Sequence, residues 1–300
     1  MSIASLLRLI CLAAIWGGAF IFTRVGAPIL GPTLLIESRV GLAALFLVVV
    51  SLIIRSDLQV RENWNHYLIL GFVNAALPFL LFGFAAQTLS ASLLSILNDT
   101  SPIFGAILGA LFAGQMLSKR KIFGLGLGIA GVALLVGFEK TSLQPGAGMA
   151  VAAALAASLC YGIAATYAKR ANSVSPFRKT HGSMWAATLL IAPAVYFFPA
   201  NEPATMGVML SVLALGVVCS GIAFLLYFRL VADIGPASTL TVTFLIPIFG
   251  IIWGHIFLRE EVGWYTLGGA AIILSGTALA TGFSYNDIFA KGRVLQVDRA

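Results

Sequence analysis

The sequence predicts an all-α integral membrane protein, with ten transmembrane helices as two inverted five-helix repeats around a central cavity. Hydrophobic residues make up 60% of the chain and charged residues only 10%, whereas soluble domains carry about 25% charged residues. Ten apolar stretches are long enough to cross a hydrocarbon core of about 30 Å as helices. A constant offset of 145 residues also aligns the two halves of the chain.

The ten stretches follow one another with short connections, which leaves no room for an inserted soluble domain. We therefore divide the chain into a first repeat at residues 1–141, a second repeat at 146–283 and a cytoplasmic tail at 284–300. The predicted spans are residues 6–23, 34–54, 67–86, 91–114, 122–138, 149–168, 181–199, 207–228, 236–257 and 264–282.

The basic residues indicate orientation rather than nucleic-acid binding, although the net charge is +7, because they are dispersed between the apolar stretches. Fourteen of the 18 Lys and Arg residues fall on the side of the N-terminus, three fall on the opposite side, and Arg39 lies inside a span. Cytoplasmic loops of membrane proteins carry such an excess. We expect a multi-pass protein of the bacterial inner membrane with both termini in the cytoplasm.

The internal repeat is visible at several points along the chain. The pair Trp16-Gly17 aligns with Tyr161-Gly162, and Gly105 and Gly109 align with Gly250 and Gly254. Each repeat has five spans, an odd number, so the second copy must enter the membrane inverted. Inverted repeats are typical of secondary transporters, whose substrates bind near the midplane between the halves.

Asp99 is the main polar candidate, because it is the only formal charge in the apolar stretch 90–114. A carboxylate in mid-membrane costs about 2.5–3.5 kcal/mol on insertion scales and usually marks function. Ser95, Asn98, Asp99 and Pro102 have helical spacing and should share one face. Asp99 could bind a substrate ammonium or a proton. The alternative is a structural hydrogen-bond acceptor between helices.

Aromatic residues at equivalent places of the two repeats are candidates for the cavity wall, with plain core packing as the alternative. Thr243 and Phe244, which align with Asn98 and Asp99, would distinguish the two ends of an asymmetric substrate. The aromatic candidates are Trp16 and its counterpart Tyr161, Phe79 and its counterpart Phe224, and Phe82 and its counterpart Tyr227.

Glu37 and Arg39 are two residues apart, so their side chains do not face each other on a helix. We expect each to have a structural or gating role rather than to contact substrate. The sequence contains no catalytic constellation, metal-ligand pattern or P-loop. No cofactor or catalytic residue is therefore predicted.

The chain resembles the EamA-type proteins of the drug/metabolite transporter superfamily. The resemblance lies in WGGAF at 16–20, ESRVGLAAL at 37–45, SPIFGAILGALFAGQ at 101–115, IPIFGIIWGHIFLREE at 246–261 and GGAAIILSGTAL at 268–279. It implies two five-helix repeats and secondary transport. Such proteins usually carry a Glu after the fourth and ninth helices; Glu260 matches, whereas its counterpart is Gln115. In its length and its aromatic-rich interior, the chain is most similar to YddG-type amino-acid exporters.

We therefore expect alternating-access export of amino acids, including aromatic and neutral ones, by a monomer surrounded by lipid. A nucleotide precursor, a sugar derivative or a cationic compound remains an alternative substrate. A phosphorylated substrate is disfavoured, because no Lys or Arg lies in mid-membrane except Arg39, which is near the edge of its span. Two other classes, an integral-membrane enzyme and a structural subunit, also remain open.

Overall fold

The computed structural model of the chain is helical throughout the residues that it describes, 2–112, 114, 116–139, 144–168 and 174–282. The predicted tail 284–300 and Gln115 lie outside these residues. Twelve α-helices occupy the described ranges: α1 (Ile3–Ile54), α2 (Val60–Gly71), α3 (Leu77–Ala85), α4 (Ala91–Asn98), α5 (Ser101–Phe112), α6 (Lys119–Phe138), α7 (Ala147–Ala168), α8 (Pro176–Val195), α9 (Met206–Leu213), α10 (Ala223–Thr239), α11 (Val242–Leu258) and α12 (Trp264–Thr281).

Six helical stretches in the described ranges are long and apolar enough to cross a membrane, judged by length and composition. They are Ile3–Ile54, Val60–Ala85, Ala91–Phe112, Lys119–Phe138, Ala147–Ala168 and Met206–Gly235, and Val242–Leu258 is a shorter apolar helix. A multi-pass membrane protein is the architecture that fits these helices. The remaining predicted spans, 181–199 and 264–282, fall on α8 and α12.

The first two predicted spans form the two halves of α1, which is broken at Gly31. Gly31 has φ 71° and ψ 157°, a conformation outside the helical region. Glycine adopts positive φ without the steric cost of a Cβ. Pro28 and Pro32 flank the break, and each removes a backbone donor from the helical ladder. The chain therefore reverses direction here without leaving helical structure for more than one residue.

The fourth predicted span is interrupted in its middle, which corrects the prediction of one continuous helical face. Helix α4 ends at Asn98 and α5 begins at Ser101, so Ser95, Asn98, Asp99 and Pro102 do not share a regular helix. Pro102 has no N–H to donate to the Asn98 carbonyl, and its ring clashes with that carbonyl in a regular helix. The Ser101 hydroxyl donates to this carbonyl instead, at 2.5 Å.

Hydroxyl groups satisfy the backbone carbonyls around this interruption. The Leu97 carbonyl accepts from Thr100 Oγ1 at 2.7 Å and from Ser158 Oγ of α7 at 3.0 Å. The Asp99 carbonyl accepts from Thr277 Oγ1 of α12 at 3.0 Å. Broken helices are tolerated at membrane depth only where such partners exist. The interruption is therefore held by α7 and α12, two helices of the second half.

Close helix contacts occur in pairs that the 145-residue offset relates to each other. A Cβ built on Gly17 of α1 would lie 2.9 Å from the Gly250 nitrogen of α11, and one on Gly162 of α7 would lie 2.9 Å from the Gly105 nitrogen of α5. Gly17 corresponds to Gly162, and Gly105 to Gly250. Each repeat thus packs its first helix against the fourth-span region of the other.

Two π-helical segments also lie at corresponding places, Phe72–Ala76 between α2 and α3 and Ala214–Ile222 between α9 and α10. Residues 72–76 map onto 217–221 under the offset. The longer segment packs against α1, and the shorter one contacts α7 and α8. π-Helical bulges widen a helix locally and are frequent at functional sites.

The two predicted small-xxx-small faces have different surroundings. On α11, a side chain at Gly250 would meet Ser95 of α4, and one at Gly254 would meet Glu260 and Ser92. On α5, Gly105 faces Gly162, but Gly109 has no atom of the described residues within 4 Å of a built Cβ. Tight packing through both glycines is therefore found on α11 and not on α5.

Candidate functional site

Aromatic side chains from both halves meet where the repeats cross. The Trp16 ring of α1 lies 6.0 Å from the Phe224 ring and 5.8 Å from the Tyr227 ring of α10. Phe228 extends this cluster, with its ring 6.2 Å from Phe224 and 5.8 Å from Tyr227. Edge-to-face and offset ring pairs at such distances are energetically favourable.

The counterpart cluster joins α7 to α3. The Tyr161 ring stacks on the Phe82 ring with their centroids 6.2 Å apart, and Phe20 of α1 meets Phe82 edge-on at 5.6 Å. Under the offset, the pair Trp16–Tyr227 corresponds to Tyr161–Phe82. We call these two clusters together with Phe79 the aromatic wall. Phe79 and Phe82 are only 7% and 5% exposed, so this part of the wall belongs to the packed core as well.

Arg39 lies beside the aromatic wall, deep between the helices. Its guanidinium carbon is 3.8 Å from the centroid of the Phe79 ring, and its Nε donates to Ser220 Oγ at 3.0 Å. The residue is 9% exposed. Ser220 belongs to the π-helical segment Ala214–Ile222 of the second half. Arg39 therefore bridges the two repeats.

Asp99 lies at the interruption between α4 and α5, against α12 rather than at the aromatic wall. Its residue is 1% exposed, and both carboxylate oxygens are buried without a hydrogen-bond partner among the described residues. An ionised carboxylate in such surroundings is costly, because burial removes it from bulk solvent. An ionised Asp99 therefore needs a cation as its partner.

The other polar candidates make local contacts. Ser95 is fully buried and donates to the Ser92 carbonyl at 2.7 Å, beside Gly250 of α11. Asn98 is half-buried at the end of α4. Thr243 donates to the Leu240 carbonyl at 2.9 Å, and Thr243 and Phe244 form the first turn of α11 and are half-buried.

Two charged side chains fix the connection between α3 and α4. Arg24 donates to the carbonyls of Ala86 and Gln87 at 2.6 and 2.7 Å, where α3 ends. Glu260 accepts from the Ala91 and Ser92 amides at 2.6 and 3.0 Å, where α4 begins. Cations suit the carbonyl end of a helix and anions its amide end. Both lie in the wall of a cavity of about 350 Å³ that also includes Pro28 and Ser90.

A second cavity, of about 530 Å³, lies at the break of α1. Its lining includes Gly31, Pro32, Leu80, Phe84 and Asn201. Asn201 holds the connection between α8 and α9 against this break, because its side-chain nitrogen donates to the Pro28 carbonyl at 3.0 Å. Both cavities therefore open at the end of the molecule that is opposite to the beginning of α1.

An ion-pair cluster ties the two halves together at the other end. Arg8 near the start of α1 contacts Asp233 of α10 at 2.6 Å, and Arg229 contacts the same carboxylate at 3.1 Å. The side chains of Arg8, Asp233 and Arg229 are 36%, 21% and 65% exposed. Part-exposed pairs of this kind contribute about 1 kcal/mol or less. The cluster can therefore hold this end closed and still open at low cost.

Some site residues do not emerge from the sequence reasoning. Phe20 and Phe228 complete the aromatic wall, and Phe20 lies one helical turn from Trp16, which is a signal that could have found it. Ser220 has no such signal, because its partner Arg39 is 181 residues away. The structural or gating role expected for Arg39 stays a prediction, and the structure adds that Arg39 is buried between the repeats.

The chain is similar to several known proteins along most of its length. It is 27% identical over 285 residues to the uncharacterised transporter YvbV of Bacillus subtilis, covering 91% of this chain and 90% of that one. It is 22% identical to the uncharacterised transporter YoaV of the same organism, covering 92% and 96%. Protein PecM of Dickeya dadantii is 23% identical over 218 residues, covering 72% and 73%.

The crystal structure of another protein has the same fold. It superposes with a TM-score of 0.65 at 18% identity, covering 94% of this chain and 97% of that chain. The sequence profile of the EamA-like transporter family matches twice, at residues 3–137 and 148–282. The two matches are 145 residues apart at both ends. With most of its length covered by these two matches, the chain belongs to the EamA-like transporter family of membrane transporters.

Proposed function

We propose that this chain exports amino acids, including aromatic and neutral ones, across the bacterial inner membrane by alternating access. In this proposal ten transmembrane helices form two inverted five-helix repeats with both termini in the cytoplasm. The subtype is that of the YddG-type amino-acid exporters. The amino acid binds between the repeats, beside the aromatic wall.

The observation that supports this proposal best is the crossed pairing of the aromatic wall. Trp16 of the first repeat pairs with Tyr227 of the second, and Tyr161 of the second pairs with Phe82 of the first. A pseudo-two-fold relation between the halves produces such crossed pairs. In transporters built from inverted repeats, exchange of the two conformations of the repeats opens the site to either side.

The two ends of the molecule support an alternating-access cycle. In the structure the end with the start of α1 is held by the cluster of Arg8, Asp233 and Arg229. The opposite end carries the cavities of about 530 and 350 Å³. We propose that this is the state open to the outside. Breaking the ion-pair cluster would then accompany opening toward the cytoplasm.

The character of the wall favours amino acids with apolar side chains. Aromatic surfaces accommodate apolar groups of several shapes with little discrimination between them. Arg39 and Asp99 supply buried groups of opposite charge, as a zwitterion requires. We propose that Asp99 takes part by binding either the ammonium group or a proton that the cycle moves.

Transport by the purified protein in liposomes tests the proposal. Liposomes preloaded with unlabelled phenylalanine, leucine or serine should accumulate the labelled amino acid by exchange, with phenylalanine and leucine preferred. Nucleosides, sugars and a quaternary ammonium compound complete the panel. Exchange of one of those compounds and of no amino acid would contradict the proposed substrate class. Failure to transport any compound of the panel would contradict the proposed function.

A further inference from the structure

Arg39 is a buried cation for which the described part of the chain provides no counter-ion. Only 9% of the residue is exposed. The ion pairs that the structure describes join Arg8, Arg178 and Arg229 to Asp residues, and none of them includes Arg39. Charged groups inside proteins are normally paired or bound to a ligand, because the interior solvates them poorly. The position therefore calls for an anion.

The guanidinium has donors left for that anion. An arginine carries five N–H donors in a planar fork. Within the described residues, Arg39 donates one hydrogen bond, from Nε to Ser220 Oγ at 3.0 Å. The face of the guanidinium lies on the Phe79 ring, with its carbon 3.8 Å from the centroid. Stacking on a ring leaves the in-plane NH₂ groups free to form the bidentate pair that carboxylates prefer.

The surroundings of Arg39 come from both repeats. Phe79 lies on α3 of the first repeat, whereas Ser220 belongs to the second. Tyr161 and Cys219 of the second repeat also lie near the guanidinium. Tyr161 is the residue that stacks on Phe82 in the aromatic wall. The cation therefore lies at one edge of the proposed substrate site, next to its apolar surface.

The counterpart of Arg39 in the second repeat shows that the fold does not require a charge here. Under the 145-residue offset, Arg39 corresponds to Met184, which is 1% exposed. An unbranched apolar side chain of similar length thus fills the equivalent place. A residue kept for packing alone could be apolar in both repeats, and the charge in one of them suggests a ligand with a definite polarity.

We propose that Arg39 binds the carboxylate group of the transported solute, which makes the substrate class apolar and aromatic carboxylic acids. This rests on the proposed function and extends it. Recognition of the carboxylate by Arg39 does not involve the α-amino group, so hydroxy acids and simple arylalkanoic acids should be transported too, at lower rates than amino acids. Amines and amides of the same shape are rejected, because they leave the Arg39 charge without an anion. One guanidinium and an apolar wall fit a singly charged carboxylate better than a phosphate.

Three compounds of nearly equal shape test this in liposomes: phenylalanine, 3-phenylpropionate and phenylalaninamide. The wild-type protein should transport the first two and fail to transport the amide. Arg39→Met, which copies the second repeat, should lower flux of both carboxylates by about 10-fold or more. Arg39→Lys keeps the charge but loses the fork and should be intermediate. Arg61→Met is the matched control, since Arg61 is an exposed arginine in the first turn of α2 and lies outside the site, and its flux should change little.

Equal flux of phenylalanine through Arg39→Met and the wild type would overturn the proposal, as would wild-type transport of the amide at the rate of phenylalanine. A binding measurement covers the case in which Arg39→Met does not fold. Ligands that bind only the folded protein raise its unfolding temperature. In wild-type protein, 3-phenylpropionate should raise that temperature and phenylalaninamide should not. Equal shifts, or no shift with either compound, would overturn the proposal.

The same binding measurement distinguishes a failure of the proposed Arg39 carboxylate site from a failure of the proposed export function. Stabilisation by the carboxylate without any transport would contradict export and still support Arg39 as a carboxylate site. Transport of amino acids together with unchanged selectivity in Arg39→Met would support export and contradict this role of Arg39.

Discussion

At the scale of single residues, substitutions in the aromatic wall distinguish a role in substrate recognition from a role in packing. Trp16→Ala and Tyr161→Ala should each lower phenylalanine flux about 10-fold, the equivalent of about 1.4 kcal/mol of lost substrate interaction. Trp64→Ala is the matched control, because Trp64 is 58% exposed. Flux in liposomes and folded yield by size exclusion are the measurements. A loss of yield as large as the loss of flux would favour a packing role.

Asp99 provides a second prediction at this scale. Asp99→Asn keeps the shape of the side chain and removes a charge that has no partner, so the variant should fold at least as well as the wild type. It should lose most amino-acid flux and the pH dependence of what remains. In the wild type, substrate affinity should fall as the pH is lowered, because protonation removes the charge that an ammonium group needs.

Flux measured over a pH series compares the two proteins, and Asp57→Asn serves as the control. Asp57 is an aspartate with a 78% exposed side chain, paired with Arg178. If Asp99→Asn transported amino acids like the wild type at every pH, Asp99 would be a structural residue.

The sequence indicates contacts between the repeats only where the repeat itself carries the information. Trp16 and Tyr161 align under the offset, and the structure gives each of them an aromatic partner from the other repeat. Arg39 is the opposite case, because its counterpart is Met184 and its partner Ser220 is 181 residues away. Spacing along one helix contains no information about such a contact. The depth of Arg39 between the repeats depends on how they cross.

At the scale of helices, the start of α4 depends on a side chain from the other half of the chain. The Glu260 carboxylate accepts from the Ala91 and Ser92 amides and from Ser92 Oγ at 2.5 Å. Glu260→Gln removes the charge and leaves a single acceptor atom, so it should destabilise the protein by about 1–3 kcal/mol. Thermal unfolding in detergent measures this effect. The control is Glu62→Gln, an exposed glutamate in the first turn of α2, and an equal effect of both changes would contradict the capping role.

The packing of α11 on α4 gives a second prediction for helices. Gly250→Ala would drive a methyl group into Ser95, which is fully buried. Overpacking of this kind costs about 1–3 kcal/mol, so the unfolding temperature should fall. Gly105→Ala is the matched control at the corresponding position of α5, since a Cβ built there has the Gly162 Cα, 3.9 Å away, as its nearest neighbour from another helix among the described residues. A fall of the same size in both variants would contradict the close α4–α11 contact.

The helix boundaries on either side of Asp99 could not be predicted from the sequence. The apolar stretch around Asp99 is recognisable as one span from its length, but its interruption at Asp99–Thr100 is not. Pro102 is compatible with a kink, a short unwound turn or the first turn of a new helix. The choice depends on hydroxyl groups of other helices, Ser158 and Thr277, that satisfy the Leu97 and Asp99 carbonyls. Those partners become known only once the tertiary structure is known.

At the scale of the whole molecule, the distribution of basic residues predicts accessibility from each side of the membrane. Single cysteines at Lys121 and Arg178, introduced into a variant without Cys11, Cys160 and Cys219, should react with a membrane-impermeant thiol reagent only from the cytoplasmic side. A cysteine at Arg259 should react only from outside. Labelling of intact cells and of inverted vesicles makes the comparison. Reaction of Lys121→Cys from outside would contradict the ten-helix arrangement with cytoplasmic termini.

The crossed contacts between the repeats also have a consequence for biosynthesis. Gly17 packs against Gly250, which the ribosome adds 233 residues later. At about 5–20 residues per second, this takes roughly 10–50 s. During that interval the first helix has entered the bilayer without the helix on which it will rest, and its polar and aromatic face must be shielded by lipid, by the insertion machinery or by a chaperone. A chain whose translation stops before α11 thus has a complete first half whose first helix lacks its packing partner.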